Sequence, residues 1–115
     1  MLIAIINRTK KQSNSERLKV RLALLGNVVI TPVDLTIIDD IEETEARVGV
    51  LQEQYREALS LCNLAVAIME DNYIGDGTMD EIELCIHLGK PTILARSVDE
   101  ALVKYCNRFQ AKKEV

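Results

Sequence analysis

A chain of 115 residues has room for one domain around one hydrophobic core, and residues 1–115 are read as that single domain. Apolar residues make up 48% of it and aromatic residues only 3%, with no tryptophan, so aliphatic side chains must fill the core. A net charge of −4 offers no broad basic surface, which argues against a nucleic-acid polymer as partner but leaves room for a small anion on a local basic loop.

The chain opens on an apolar run, Leu2 to Ile6, with no basic segment before it and the polar pair Asn7-Arg8 straight after. That run is too short for a signal peptide or a membrane span and reads as a first buried strand. Asn7 to Ser15 is polar, basic and hydroxyl-rich. It leads into a helix start, where free backbone N–H groups with Arg8 and Lys10 nearby would suit a phosphate; an ordinary capped surface loop reads equally well. Ser13-Asn-Ser-Glu16 has the spacing of a capping box and opens a helix to about Leu25, with Gly26 past its end. Val28 to Thr31 is a second strand, stopped by Pro32.

From Ile41 to Leu61 apolar residues recur at helical intervals among many Glu, Gln and Arg, consistent with one helix or with a loop and then a helix. Leu64 to Met69 is a third strand, apolar throughout, as expected when both faces are covered. A loop from Glu70 to Thr78 follows, and Thr78-Met-Asp-Glu81 opens a helix that stops near Gly89-Lys-Pro91. Thr92 to Ala95 is the fourth strand, and Ser97-Val-Asp-Glu100 opens the last helix, whose tail, Lys112-Lys113, reads as solvated. Three cysteines, Cys62, Cys85 and Cys106, form no CxxC pair and sit among apolar neighbours. They imply buried thiols, no disulfide framework or zinc site, and a reducing, cytoplasmic home.

This rhythm predicts an α/β fold of the flavodoxin or Rossmann kind: a small open parallel sheet of four strands in the order 2-1-3-4, with helices on both faces. Ligands of such sheets bind beyond the carboxyl ends of the strands. That edge collects the loop after strand one, the loop after strand three, and Arg96-Ser97.

The most informative residue there is Glu81. On a helical wheel Asp80, Glu83 and His87 share one polar arc, whereas Glu81 falls among the apolar positions, where desolvation raises a carboxyl pKa. It reads either as the partner of Thr78 in a capping box or as a working carboxylate, and the two roles are compatible. Glu70, Asp71 and Asp76 lie on the loop before it and could act as a proton donor or bind a hard cation. Asp80 and Glu83 read as solvated positions near the helix start. Gly75-Asp-Gly77 supplies backbone freedom for close approach to a ligand, and Tyr73 could stack on a base. Ser97 reads first as a helix cap, and His87 is given no role.

Leu64-Ala-Val-Ala-Ile-Met-Glu70, Asp76-Gly-Thr-Met-Asp-Glu81-Ile82 and Leu88-Gly-Lys-Pro91, taken together, resemble the nucleoside 2-deoxyribosyltransferase family. The resemblance covers most of the chain, and its specific part is the block from Gly77 to Pro91. It implies that Glu81 is a nucleophile attacking C1′ of a 2′-deoxynucleoside to give a covalent deoxyribosyl-enzyme, resolved by a second base or by water with retention. It also implies Asp76, or else Glu70, as the acid that assists the departing base. Asn7, Arg8, Thr9, Ser13, Asp71, Tyr73, Gly75, Gly77, Thr78 and Ser97 are then substrate-binding candidates. Arg8, Thr9, Ser13 and Ser97 would suit the 5′-phosphate that one branch of the family requires. A nucleoside or nucleotide partner and a homodimer or larger assembly follow from the same resemblance; no cofactor is expected, and the residues themselves point to no metal and no membrane.

The chain departs from the family pattern at Glu70-Asp71, where the family has Asp-Gly, at Glu83, where it has Gly, at Cys85, and at Ile6-Asn7, where an aromatic residue and Gly are common. These departures favour a rival from another class, a catalytically silent nucleotide-binding module. A magnesium-dependent phosphohydrolase using the acidic cluster ranks last, because no residue set here has a recognisable metal spacing.

Overall fold

A computed structural model describes residues 1–7, 13–31, 50, 53–69 and 76–110. In chain order these form β1 (Leu2–Ile6), α1 (Ser13–Leu24), β2 (Val28–Ile30), a helix α2 over residues 53–61, β3 (Leu64–Ile68), α3 (Asp76–His87), β4 (Thr92–Ala95) and α4 (Val98–Tyr105). A wider turn of helix, Cys106–Gln110, continues α4. The four strands lie in one parallel sheet in the order β2-β1-β3-β4, as the apolar runs predicted.

Each central strand divides its side chains between two layers, because successive residues point to opposite faces. Ile3 and Ile5 of β1, with Leu64, Val66 and Ile68 of β3, pack against Leu18 and Leu22 of α1 and Val98, Ala101 and Tyr105 of α4. The other face presents Ala4 and Ile6 of β1 with Ala65 and Ala67 of β3. It meets Tyr55, Leu59 and Cys62 from the α2 segment and Ile82 and Cys85 from α3. One face is therefore built from large aliphatic strand residues and the other mostly from alanine. The second face carries the candidate site.

Two helices end alike. Beyond α1, Gly26 takes φ 92° and Asn27 N–H donates to Leu22; beyond α3, Gly89 takes φ 70° and Lys90 N–H donates to Cys85. Only glycine adopts such a backbone at no steric cost, so both turns stop their helices cleanly. The pattern fixes where β2 and β4 begin.

The start of α3 corrects the sequence reading. Thr78 is not the cap: the helix already includes Asp76 and Gly77, so Thr78 is its third residue, and Asp76 lies in the first turn rather than on the preceding loop. α1 likewise already includes Ser13, the residue read as its cap. A T-x-x-E or S-x-x-E spacing marks a helix start to within a turn, and the true boundary slides by one or two residues. The tail from residue 111, with Lys112-Lys113, lies outside the described residues.

Candidate active site around Glu81

Three stretches converge at the carboxyl ends of the strands: Asn7 after β1, the first turns of α3 after β3, and Arg96-Ser97 after β4. Within α3, Thr78, Ile82 and Cys85 are buried, and Glu81 and Leu84 are half-buried. Asp80, Glu83 and His87 are exposed, as the helical wheel predicted. The apolar arc does not behave as one, since Met79, Ile86 and Leu88 are also exposed. Glu81 belongs to the sheet-facing side of its helix.

Its electrostatics follow from that position. Loss of water raises the Glu81 carboxyl to about 7; the Arg56 guanidinium pulls it down, and the neighbouring Asp80 carboxylate pushes it up. Glu81 is the sixth residue of α3, beyond the first turn, where the helix dipole stabilises anions only weakly. A carboxyl poised near neutral pH on a half-buried helix face suits proton transfer, whereas as a nucleophile it must first lose its proton.

Tyr55 was not singled out in the sequence. It is buried, and its hydroxyl donates a hydrogen bond to the carbonyl of Ile5 on β1. The register explains why that carbonyl is available. Met1 carbonyl accepts from Val28 N–H, and Leu2 and Ala4 lie opposite Val28 and Ile30. Acceptors on that edge recur at every second residue, and the Ile5 carbonyl lies past the last paired residue of β2, Ile30. Left unpaired, the Ile5 carbonyl would cost about 1–3 kcal/mol. The Tyr55 hydroxyl fills the gap, which locks α2 to the end of β1.

Burial raises the Tyr55 phenol well above its ordinary range, and the Glu81 charge raises it further, followed by Cys85 and Cys62. Cys85 is pushed up to about 11, first by burial and then by Cys62 and Glu81, and burial likewise raises Cys62. All three groups are therefore neutral at physiological pH. Neither buried thiol is activated, since a nucleophilic cysteine needs a depressed pKa. Cys106, expected to be buried, is only partly so.

The other expected site residues divide into three sets. Asn7 is 4% exposed, and its amide nitrogen donates to the Ser15 hydroxyl at 2.8 Å, so it ties β1 to α1. Ser97 caps α4 by accepting from Glu100 N–H at 3.1 Å, as the sequence predicted. Ser13, Asp76 and Gly77 are placed as helical backbone in first turns. Arg8, Thr9, Glu70, Asp71, Tyr73 and Gly75 lie outside the described residues.

Among the described residues no group of three or more His, Cys, Asp and Glu could hold a metal ion, and no helix is long and apolar enough to cross a membrane. A groove of about 510 Å³ runs between the end of α3 and β4, lined by Ile86, Lys90, Pro91, Leu94 and Arg108 among others; Glu81 is not part of its lining.

Neither a protein-family model nor a curated protein matches the chain. The fold has a match among solved structures: a 2-deoxyribosyltransferase from the psychrotolerant bacterium Bacillus psychrosaccharolyticus, described as a biocatalyst suited to nucleoside synthesis, superposes with a TM-score of 0.66. The match covers 84% of this chain and 74% of that one at 19% identity. The chain thus shares the α/β fold of a deoxyribosyltransferase, with its four parallel strands in the order predicted from sequence.

Proposed function

We propose that the protein is an enzyme of the nucleoside 2-deoxyribosyltransferase family that cleaves or transfers at the N-glycosidic bond of a 2′-deoxynucleoside or its 5′-monophosphate. One observation carries the reading: Glu81 stands half-buried on the sheet-facing side of α3, behind β3, with its carboxyl raised to about 7. The shared fold and the Gly77 to Pro91 block support it.

In this reading the Glu81 carboxylate attacks C1′, the C1′–N bond breaks, and the base leaves with the bonding electrons. Asp76, or else Glu70, gives the base a proton. Water or a second base then attacks C1′ from the face the first base left, releasing Glu81 and restoring the original configuration. Partial desolvation makes Glu81 a better nucleophile once ionised but leaves it half-protonated at neutral pH. Turnover should therefore rise with pH through about 7. The reading also expects self-association, with a neighbouring copy helping to complete the site.

The test is release of free base from deoxynucleosides and their 5′-monophosphates by wild type and Glu81→Ala. Loss of release in the variant supports the enzyme. Equal release by the two overturns it, and nucleotide binding with no release by either identifies a silent binding module instead.

A further inference from the structure

β4 ends the sheet, with β3 on one side and, among the described residues, no strand on the other. Ala65 N–H donates to the Pro91 carbonyl and Met69 N–H to the Ala95 carbonyl, so alternate residues of β4 turn their backbone groups inward. The N–H and C=O groups of Thr92 and Leu94 therefore point away from the sheet. The Lys104 ammonium sits on the Leu94 carbonyl at 2.7 Å, where the N–H of an added strand would sit, and also pairs with Glu100 at 3.1 Å. Lys104 is exposed, so a pairing strand can displace it. A groove lies on each face of this edge. The one on the α3 side, of about 510 Å³, is lined by Ile82, Ile86, Pro91 and Leu94 together with Lys90 and Arg108. The one on the α4 side, of about 440 Å³, sets Lys104, Asn107 and Arg108 beside Thr92, Ile93 and Leu94. Successive side chains of a strand point to opposite faces, so a strand laid on β4 sends alternate residues into the two grooves.

We propose that the open edge of β4 docks an extended acidic segment of another protein, one in which apolar and acidic residues alternate. The apolar residues fill the α3-side groove against Ile86 and Leu94, both of them exposed. The acidic residues meet Lys104 and Arg108 on the α4 side. Charge chooses this occupant. The charged residues lining the two grooves, Lys90, Lys104 and Arg108, are all cations, on a chain whose net charge is −4. A second copy does not fit the edge. β4 carries no acidic residue and is flanked by Lys90 and Arg96, so antiparallel pairing of Thr92 with Leu94 sets Lys90 against Arg96 across the pair. Main-chain hydrogen bonds to Thr92 and Leu94 supply affinity, and the two grooves select the side chains. Glu81 is not in the lining of the α3-side groove, so the docking site stands apart from the chemistry proposed for that residue.

The probe is a fluorescein-labelled, end-capped peptide of alternating Glu and Val, about eight residues long, titrated with the full chain and followed by fluorescence anisotropy. Saturable binding that weakens as salt is added is expected. Three comparison peptides should each bind at least about tenfold more weakly. One has its Glu and Val in separate blocks, one has Lys in place of Glu, and one is N-methylated throughout and cannot donate to a strand. Arg108→Glu should weaken binding by a similar factor, whereas Arg17→Glu, an equal change of charge on α1, should not. Absence of saturable binding overturns the proposal, as does unchanged affinity in Arg108→Glu. Equal binding of the N-methylated peptide overturns it as well, because attraction would then act without strand pairing. Self-association of the wild type that Leu94→Glu abolishes would make the edge an interface between copies and overturn the peptide assignment.

Discussion

Two helices of this protein carry a Ser/Thr-x-Asp-Glu stretch near their starts and use it in different ways. Ser97-Val-Asp-Glu100 and Thr78-Met-Asp-Glu81 both follow a parallel strand, and both read as capping boxes. At α4 the spelling does what it says. Ser97 accepts from Glu100 N–H, and Glu100 accepts from Arg96 N–H at 2.8 Å and pairs with Lys104 at 3.1 Å. Those partners, led by the Arg96 N–H, hold the Glu100 carboxyl below its usual range. At α3 the helix already includes Asp76, so Thr78 is a buried helical position and not a cap, and Glu81 stands half-buried on the sheet-facing side. Burial then raises its carboxyl instead of lowering it. A glutamate that its surroundings satisfy is structural, and one they leave poised is available for chemistry.

The largest expected effect tests that contrast on activity. Glu81→Gln should lower base release by roughly 10³-fold or more, as loss of a nucleophile does, whereas Glu100→Gln should leave the rate within about twofold. Comparable losses in the two would erase the distinction.

Next in size is the anchor beneath Glu81. Tyr55→Phe keeps the ring but leaves the Ile5 carbonyl without its donor, and should cost about 1–3 kcal/mol in urea unfolding. A change below about half a kcal/mol would mean that water replaces the hydroxyl there.

A third measurement compares the signs of the two glutamates. The folded pKa of Glu81 is raised, so ionising it costs stability: the folded state loses stability as pH rises from the ordinary value of 4.5 to about 7. Glu81→Gln should therefore be more stable than wild type at pH 8, by about 1–3 kcal/mol, and should converge with it below pH 4.5. For Glu100, whose pKa is lowered, the sign reverses. Its contribution is present above the unfolded value and fades as pH falls, so Glu100→Gln should be the less stable form at pH 8. Urea titrations at the two pH values read both. Smallest is the cap itself: Ser97→Ala should cost about 1 kcal/mol in urea unfolding.

Much of this was legible in the sequence, for physical reasons. β1 and β3 are buried almost throughout and β4 buries Ile93 and Ala95 while leaving Leu94 exposed, so each is an uninterrupted apolar run, and their alternation with helices read as a parallel sheet. Glu81 stood out because helical periodicity placed a carboxylate among apolar neighbours. The start of α3 was misread because a capping spelling is the same whether or not the helix uses it.

Tyr55 and Arg56 were missed because a tyrosine at helical spacing with Leu59 and Cys62 reads as core, and an arginine beside it as solvated. Neither residue belongs to a motif, so nothing in the sequence set them apart from ordinary core and surface positions.

The central claim is that Glu81 itself bonds to the sugar, and it is tested most directly by trapping the intermediate. Wild type mixed with a 2′-deoxynucleoside or its 5′-monophosphate, quenched in acid and digested, should yield the α3 peptide carrying one deoxyribosyl group on Glu81. Glu81→Gln should yield none. Base release at full rate with the α3 peptide unmodified at every quench time would contradict the account.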